Sequence, residues 1–324
     1  MLKFGLFSLI DPIVQKLERT HSVLHGQPQL GRSRLYSTWL LVRLWLLAVL
    51  GGWSIRQLFL KLADRRLRSY LSRFVSLPRR LPERSTFSRR VRQSDFLQAI
   101  RLLFGQLAER IARRQPGDLE VIVLDFTDLP VNRRHDPDTT YGYTSKGRFY
   151  GYKLHLIVSR RGALLSYRLA TANHHSLPLA EEMLPDLEPF CQLIRFVLGD
   201  CGYDGKLLHE WVAGDLDAML LAPANPRRQK LAPQRFDLST ARGRALAFLA
   251  TPRGRQLYRR RTVIEQVNGQ LKDVFGIARI PYYVRGEAAV ERLVAARLIL
   301  YNVAILKNLQ RRKTHIRRLK SLVA

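Results

Sequence analysis

Cysteine is nearly absent from this chain, acidic side chains are scarce, and no apolar run is long. The two cysteines, Cys191 and Cys201, have no Cys-x-x-Cys or Cys/His set around them. That excludes a four-thiolate zinc site and leaves reduced thiols as the expectation. The most apolar stretch, residues 40–50, carries Arg43 inside it and stops at Gly51-Gly52, too short and too charged to span a bilayer. The N-terminus lacks a basic region followed by a long apolar segment and a small-residue cleavage site, so neither export nor a membrane partner is expected. The 26 Asp and Glu stand against 55 Lys and Arg, a formal charge of +29. Such an imbalance attracts a polyanion, nucleic acid first of all. Yet 46% of the 324 residues are hydrophobic, enough for a large core and two domains, so the chain is more than a basic tail. A cytoplasmic location is expected, and in a cell without a nucleus that compartment contains the DNA.

Residues 1–115 read as helical. Apolar positions recur at spacings of three and four over 40–50, 55–62 and 96–111, and no strand-like alternation interrupts them. Ser85 or Thr86 is a candidate N-cap, and the Arg-rich segments around them suit phosphate contacts. The texture changes after Gln115-Pro116-Gly117. Residues 119–125 form a β-branched apolar run that ends on Asp125, the pattern of a strand buried on both faces. A Tyr- and Gly-rich loop follows, then strands over 150–158 and 162–170 joined by a turn at Arg160-Arg-Gly162. A helix over 178–187, a strand over 193–200, a helix over 205–212 and a strand over 218–222 complete the pattern. Residues 223–254 read as a basic loop, 287–309 as an amphipathic helix and 311–324 as a basic C-terminal tail. A hairpin meander followed by alternating helix and strand predicts an α/β domain over 116–310, with a mixed five-stranded sheet covered by helices.

Residues 258–272 are the most informative stretch. Relative to Tyr258, the offsets of Arg261, Glu265 and Lys272 place all four within roughly 60° of arc on a helix, while Leu257, Val263, Ile264, Val267, Leu271 and Val274 gather elsewhere. The apolar arc would face a core and the polar arc a cleft. A carboxylate among basic groups is commonly a solvated salt-bridge face. Matching acids elsewhere would make it part of a site.

Those acids are present. In this order, Val123-Leu-Asp125-Phe-Thr127, Gly151-Tyr-Lys-Leu-His155, Leu198-Gly-Asp200-Cys-Gly-Tyr-Asp204 and the Tyr258/Arg261/Glu265/Lys272 helix resemble bacterial insertion-sequence transposases of the DDE type, in the subgroup with a Tyr-Arg-Glu-Lys signature. The resemblance implies an RNase H-like catalytic core and a helical DNA-binding N-terminal domain. It implies that Asp125, Asp200 and Glu265 are both the catalytic residues and the metal ligands. Carboxylates are hard oxygen donors suited to Mg²⁺ or Mn²⁺, and two such ions about 4 Å apart activate the attacking oxygen and stabilise the leaving one. It further implies that Tyr258, Arg261 and Lys272 hold DNA phosphates.

Several alternatives stay open at this level. Asp128 is a rival to Asp125, and Asp204 is a candidate N-cap of the helix that follows it. Lys153 and His155 share one strand face and read either as DNA contacts or as structural residues. His175-Ser176 departs from the His-Asp expected in relatives, and the 65 residues from Asp200 to Glu265 leave no room for a large β-domain insertion. The implied partner is double-stranded DNA, both transposon ends and target, and pairing two ends implies a homodimer or higher assembly. A nuclease of the same fold that joins no ends, and a non-catalytic DNA-binding descendant, are the alternatives.

Overall fold

A computed structural model describes residues 2–21, 35–131, 136–144, 147–225 and 236–323. Helices α1 (Phe7–Thr20), α2 (Thr38–Gly51), α3 (Ile55–Ala63), α4 (Arg65–Leu71), α5 (Arg84–Arg90) and α6 (Ser94–Arg114) come first. Strands β1 (Val121–Pro130), β2 (Thr140–Thr144), β3 (Gly147–Ser159) and β4 (Leu164–Thr171) follow. Then come α7 (Ser176–Met183), β5 (Phe196–Leu198), α8 (Lys206–Asp215) and β6 (Met219–Leu221). Helices α9 (Ala241–Ala250), α10 (Pro252–Tyr258), α11 (Thr262–Asp273), α12 (Glu287–Gln310) and α13 (Lys320–Val323) close the chain.

Two compact units share these elements. The helical unit comprises the residues up to Leu107, Val274–Val284 and those from Ala288 onward. Its core helix is α2, buried on nearly every side, which is why its sequence is apolar all round. Ser37 caps its start by accepting from the Leu40 amide, and Gly52 ends it in a left-handed conformation. Arg43, the charge inside the apolar run, is buried. It donates through Nε to Asp11 at 2.7 Å and through Nη1 to Glu18 at 3.1 Å, both on α1. Residues 287–309, read as amphipathic, are instead buried around most of α12. Trp45 donates to the Arg292 carbonyl at 3.1 Å, and Arg101 grips Glu291 with two bonds of 2.7 Å.

The second unit comprises Ala108–Asp273 and Arg285–Glu287. β1 runs antiparallel to β3 from Ile122↔Ser159 to Pro130↔Gly151 and parallel to β5 over Val121–Val123. β4 lies antiparallel to β3, and β5 parallel to β6. The five expected strands are therefore ordered β4-β3-β1-β5-β6, the mixed sheet of an RNase H-like fold. A core of Ile122, Leu124, Ile157, Val197 and Leu220 packs with Met183, Leu187, Phe190, Leu208 and Val212 from the α7 and α8 regions. α11 buries Val263, Ile264, Val267 and Leu271, as the arc in its sequence implies.

Several sequence expectations need correction. The linear division at residues 115 and 310 differs from the compact units, because α12 and the segment after it pack with the helical unit. The supposed basic tail buries Ile316, Leu319 and Leu322, and Asn308 donates to the carbonyls of Ile316 and Arg318. Asp125 does not end its strand, since pairing with β3 carries β1 on to Pro130. The Tyr- and Gly-rich loop contains a sixth strand, β2, paired with the start of β3. Within the basic segment 223–254, Thr240 and Thr251 cap two helices, α9 and α10. Its Arg227, Arg228, Lys230 and Arg235 lie outside the described residues. Neither Ser85 nor Thr86 is an N-cap, because α5 begins at Arg84 behind Glu83.

Removing one partner of a buried ion pair leaves a stranded charge, at a cost of about 3–5 kcal/mol. Asp11→Ala strands Arg43 with Glu18 alone. It is expected to lower the unfolding free energy of the protein by about 3 kcal/mol, the low end of that range, read as a drop in the urea midpoint at unchanged slope.

Candidate active site

The candidate site is built where the parallel β1–β5 ladder ends, since Val123↔Leu198 is its last pair. Two residues further on lie Asp125, still within β1, and Asp200, just past the end of β5. Asp125 is buried, with Oδ1 accepting from the Phe126 amide at 2.8 Å and Oδ2 from Arg261 Nη2 at 2.9 Å. Burial pushes its carboxyl up to about 6; Arg261 and the Phe126 amide pull the other way, and the charges of Asp200 and Glu265 add to the rise. Asp200 accepts from the Gly202 amide at 2.8 Å, closing a 3-10 turn over Cys201–Tyr203. Tyr258 donates to the Gly199 carbonyl at 3.0 Å and so fastens the end of α10 beside Asp200. Burial raises its phenol to about 12.

The polar arc of residues 258–272 is not one continuous helix. Tyr258 ends α10, Arg261 sits in a 3-10 turn over Arg259–Arg261, and Glu265 and Lys272 lie on α11. Arg261 reaches Asp125 and also lies 3.7 Å from Glu265. Burial works against its charge, but Asp125, Tyr258, Asp200 and Glu265 together hold its pKa above the usual value. Its Nε is buried and has no hydrogen-bond partner among the described residues. Lys272 reaches a different acid, Asp128, at 2.9 Å. The structure thus brings Tyr258, Arg261, Asp200 and Glu265 into the field of Asp125, and pairs the rival Asp128 with Lys272.

Lys153 and His155 do share a strand face, opposite Asp128 and Phe126 in the register, but that face is buried. Lys153 donates to the His174 carbonyl at 3.1 Å and lies 5.2 Å from the centre of the Phe126 ring. His155 is fully buried, with Nδ1 3.5 Å from the Tyr203 hydroxyl. Burial, with Lys153 and His174 nearby, pushes its pKa down to about 3 and keeps it neutral. Neither side chain presents a surface to DNA, so the structural alternative for them is the one the packing supports. His174 is held by Thr171 at 2.7 Å.

Asp204 is not an N-cap; Gly205 holds that position of α8, with no side-chain cap. Its buried carboxylate instead accepts two bonds from Arg242 at 2.7 and 2.6 Å and one from the Asn225 amide at 2.9 Å, and lies 3.4 Å from His209 Nε2. Burial opposes the charge, but His209, Arg242 and the amide hold the carboxyl well below the usual carboxylate range. This anchor ties the Asp200 turn to α9. Sequence reasoning missed it because Arg242 stands in a segment that reads as a loop.

Among the described residues, no group of three or more His, Cys, Asp or Glu side chains is gathered closely enough to hold an ion as it stands. The donor chemistry nonetheless fits a hard divalent cation: Asp125 lies in the field of both Asp200 and Glu265, and oxygen donors are what such a cation takes.

A family model described as a transposase DDE domain matches residues 116–303, more than half of the chain. No curated protein matches it in sequence. The solved structure of the Mos1 transposase paired-end complex with left transposon end aligns with 82% of this chain and 85% of its own, at 12% identity and a TM-score of 0.23. That score is too low for the likeness to bear on the fold.

Three outcomes follow from the geometry. Arg261→Ala removes the cation that draws the Asp125 pKa down. In a carboxylate NMR titration of the metal-free protein Asp125 should therefore titrate above its wild-type value, and an unchanged or lower value would contradict the pairing. Asp204→Ala strands Arg242, whose side chain is 32% exposed, and should cost about 3 kcal/mol, again the low end for a broken buried pair. Because the Asp204 pKa is depressed in the folded state, the stability it contributes is present above the ordinary carboxylate range and is lost as pH falls below it. The gap between wild type and variant should narrow in denaturant titrations at acid pH.

Proposed function

The chain belongs to the DDE transposase domain family, and we propose that it binds the terminal inverted repeats of an insertion sequence, cleaves the DNA there and joins the 3′ ends to a target. The observation that carries this reading is that Arg261 joins the buried Asp125 at 2.9 Å and stands 3.7 Å from Glu265, with Asp200 in the field of Asp125, in a chain whose net charge is +29. Basic surface alone would serve any nucleic-acid binder. Acids set inside such a surface repel the substrate's phosphates, a repulsion that a bound divalent cation would offset.

Asp125, Asp200 and Glu265 are assigned as the ligands of Mg²⁺ or Mn²⁺, consistent with the general use of divalent ions by DDE transposases. Bound there, such ions would lower the pKa of the attacking hydroxyl and would offset charge on the phosphoryl and leaving oxygens. The protein's own side chains do the positioning. Arg261 offers a planar fork that suits a phosphate as well as a carboxylate, and Lys272 offers a point charge. Tyr258, by holding the Gly199 carbonyl, sets the turn from which Asp200 projects. In hydrolysis a water oxygen attacks phosphorus and the 3′ oxygen leaves with a proton. In joining, that 3′ hydroxyl attacks a target phosphate and the target's own 3′ oxygen leaves. No covalent protein nucleophile is needed. Two ends handled together imply a dimer or higher assembly on DNA, and a bacterial cytoplasm is the proposed location.

The test is a strand-transfer assay in which a labelled 3′ end becomes covalently attached to a target plasmid. Asp125→Ala, Asp200→Ala and Glu265→Ala should each lower the rate by about 10³-fold, the equivalent of losing roughly 4 kcal/mol of charge stabilisation. Activity retained in any one of them would remove that residue from the set. Cleavage without joining in the wild type would leave a nuclease.

A further inference from the structure

The hairpin of β2 and the first half of β3 carries a surface that the catalytic reading does not use. Tyr141 pairs across the ladder with Tyr150, and Tyr143 with Arg148, so the four side chains form a two-by-two patch on one face. The Arg148 guanidinium lies over the Tyr141 ring at 3.7 Å, and the Tyr141 and Tyr150 rings meet edge to face at 5.0 Å. Tyr141 is 46% exposed and Tyr143 69% exposed. Exposed aromatics gathered in one patch, rather than scattered singly, are the kind of surface that takes a partner.

Close backbone contacts set the position of the patch. A Cβ at Gly142 would come within 2.3 Å of the Ala172 carbonyl oxygen, so glycine lets the hairpin close directly onto the end of β4. Gly151, at φ 153°, would likewise place a Cβ 2.2 Å from the Leu129 oxygen. Thr140 and Asn173 bond each other at 2.9 and 3.2 Å across the base of the hairpin. The hairpin continues the same strand that pairs with β1 beside Asp125. Asp125 lies opposite Leu156, and Tyr150 is six residues away along β3, roughly 20 Å at strand spacing.

We propose that Tyr141, Tyr143, Arg148 and Tyr150 form a stacking platform for unpaired nucleotides of the DNA strand leading to the candidate active site. Resting on the transposase reading, it deepens that reading by naming the form of DNA that this surface takes. Aromatic faces attract the π-face of any base, and a guanidinium stacked on a ring adds a cation that a phosphate can approach. In a duplex those π-faces are hidden by neighbouring base pairs. Among the described residues the patch offers one cation and three phenols, a poor match to the phosphate rows of intact duplex and a good one to bases that have left the stack. A protein partner is the competing occupant and is decided by the same test.

The experiment measures binding of the full chain to a 2-aminopurine-labelled single strand and to the matching duplex, by fluorescence and anisotropy, alongside strand transfer by the wild type. Tyr143→Ala and Arg148→Ala should each weaken single-strand binding by about 5- to 150-fold, the range for losing one stacking contact. Duplex binding and the melting temperature should hold, and Tyr143→Trp should restore single-strand affinity. Equal losses on both DNA forms, or no loss on either, would overturn the platform; the second result would leave a protein partner as the occupant. A wild type that joins ends while Tyr143→Ala keeps full single-strand affinity refutes only the platform. A wild type that binds neither DNA form refutes the transposase reading as well.

Discussion

Asp125 is a buried carboxylate in the field of two more exposed ones, Asp200 and Glu265, and the unit that holds it is arranged to offset that charge. Burial and the charges of Asp200 and Glu265 lift Asp125 to about 6. Near neutral pH it is still mostly ionised, so the site carries a charge that the fold must offset. Arg261 supplies the offset by donating to Asp125 and standing beside Glu265. A guanidinium is suited to this because it stays charged even when partly buried. Its planar fork also binds phosphate. In the proposed function the side chain that steadies the resting acids is therefore equipped to change partners when cations and DNA arrive.

The same device recurs away from the site. Asp204 is fully withdrawn from water and is held by Arg242, the Asn225 amide and the neighbouring His209. In the helical unit, Arg43 is buried inside an apolar helix and satisfied by Asp11 and Glu18. Such pairs contribute little net stability compared with well-packed hydrophobic residues, but they are costly to break and tolerate few alternative arrangements. In a chain with about two basic residues for every acid, many of the acids are engaged in this way. Arginine excess thus serves two ends, an outer surface that attracts a polyanion and an inner set of cations that orders the acids.

Much of the fold was legible because its signals are local. The apolar run of α2, the β-branched run of β1 and the apolar arc of α11 can each be read from neighbouring residues, because a buried stretch or face shows in short-range pattern. What misled were segments whose composition disguised their pattern. Tyr141-Gly-Tyr143 alternates as a strand should, yet its glycine and polar neighbours read as a loop until β3 is there to pair with it. Arg242, Arg244 and Arg253 hid two helices that Thr240 and Thr251 begin. Asp125 seemed to end a strand because the apolar run stops there, whereas pairing with β3 continues the extended backbone through Thr127 and Leu129 to Pro130.

By itself the sequence determined the supply of parts: a strong positive excess, three acids on suitable elements, and Tyr258, Arg261 and Lys272 at helical spacing from one of them. These depend on residue type and short-range periodicity, which a linear reading carries in full. Only the tertiary structure decided which part meets which. It turned Arg261 towards Asp125 across 136 positions of sequence and gave Lys272 to Asp128. It also buried Lys153 and His155 and joined Asp204 to Arg242. The physical reason is that burial and charge pairing are properties of the space between elements. A side chain's spacing along its own helix or strand sets the direction in which it points, and the neighbouring element sets what it finds there.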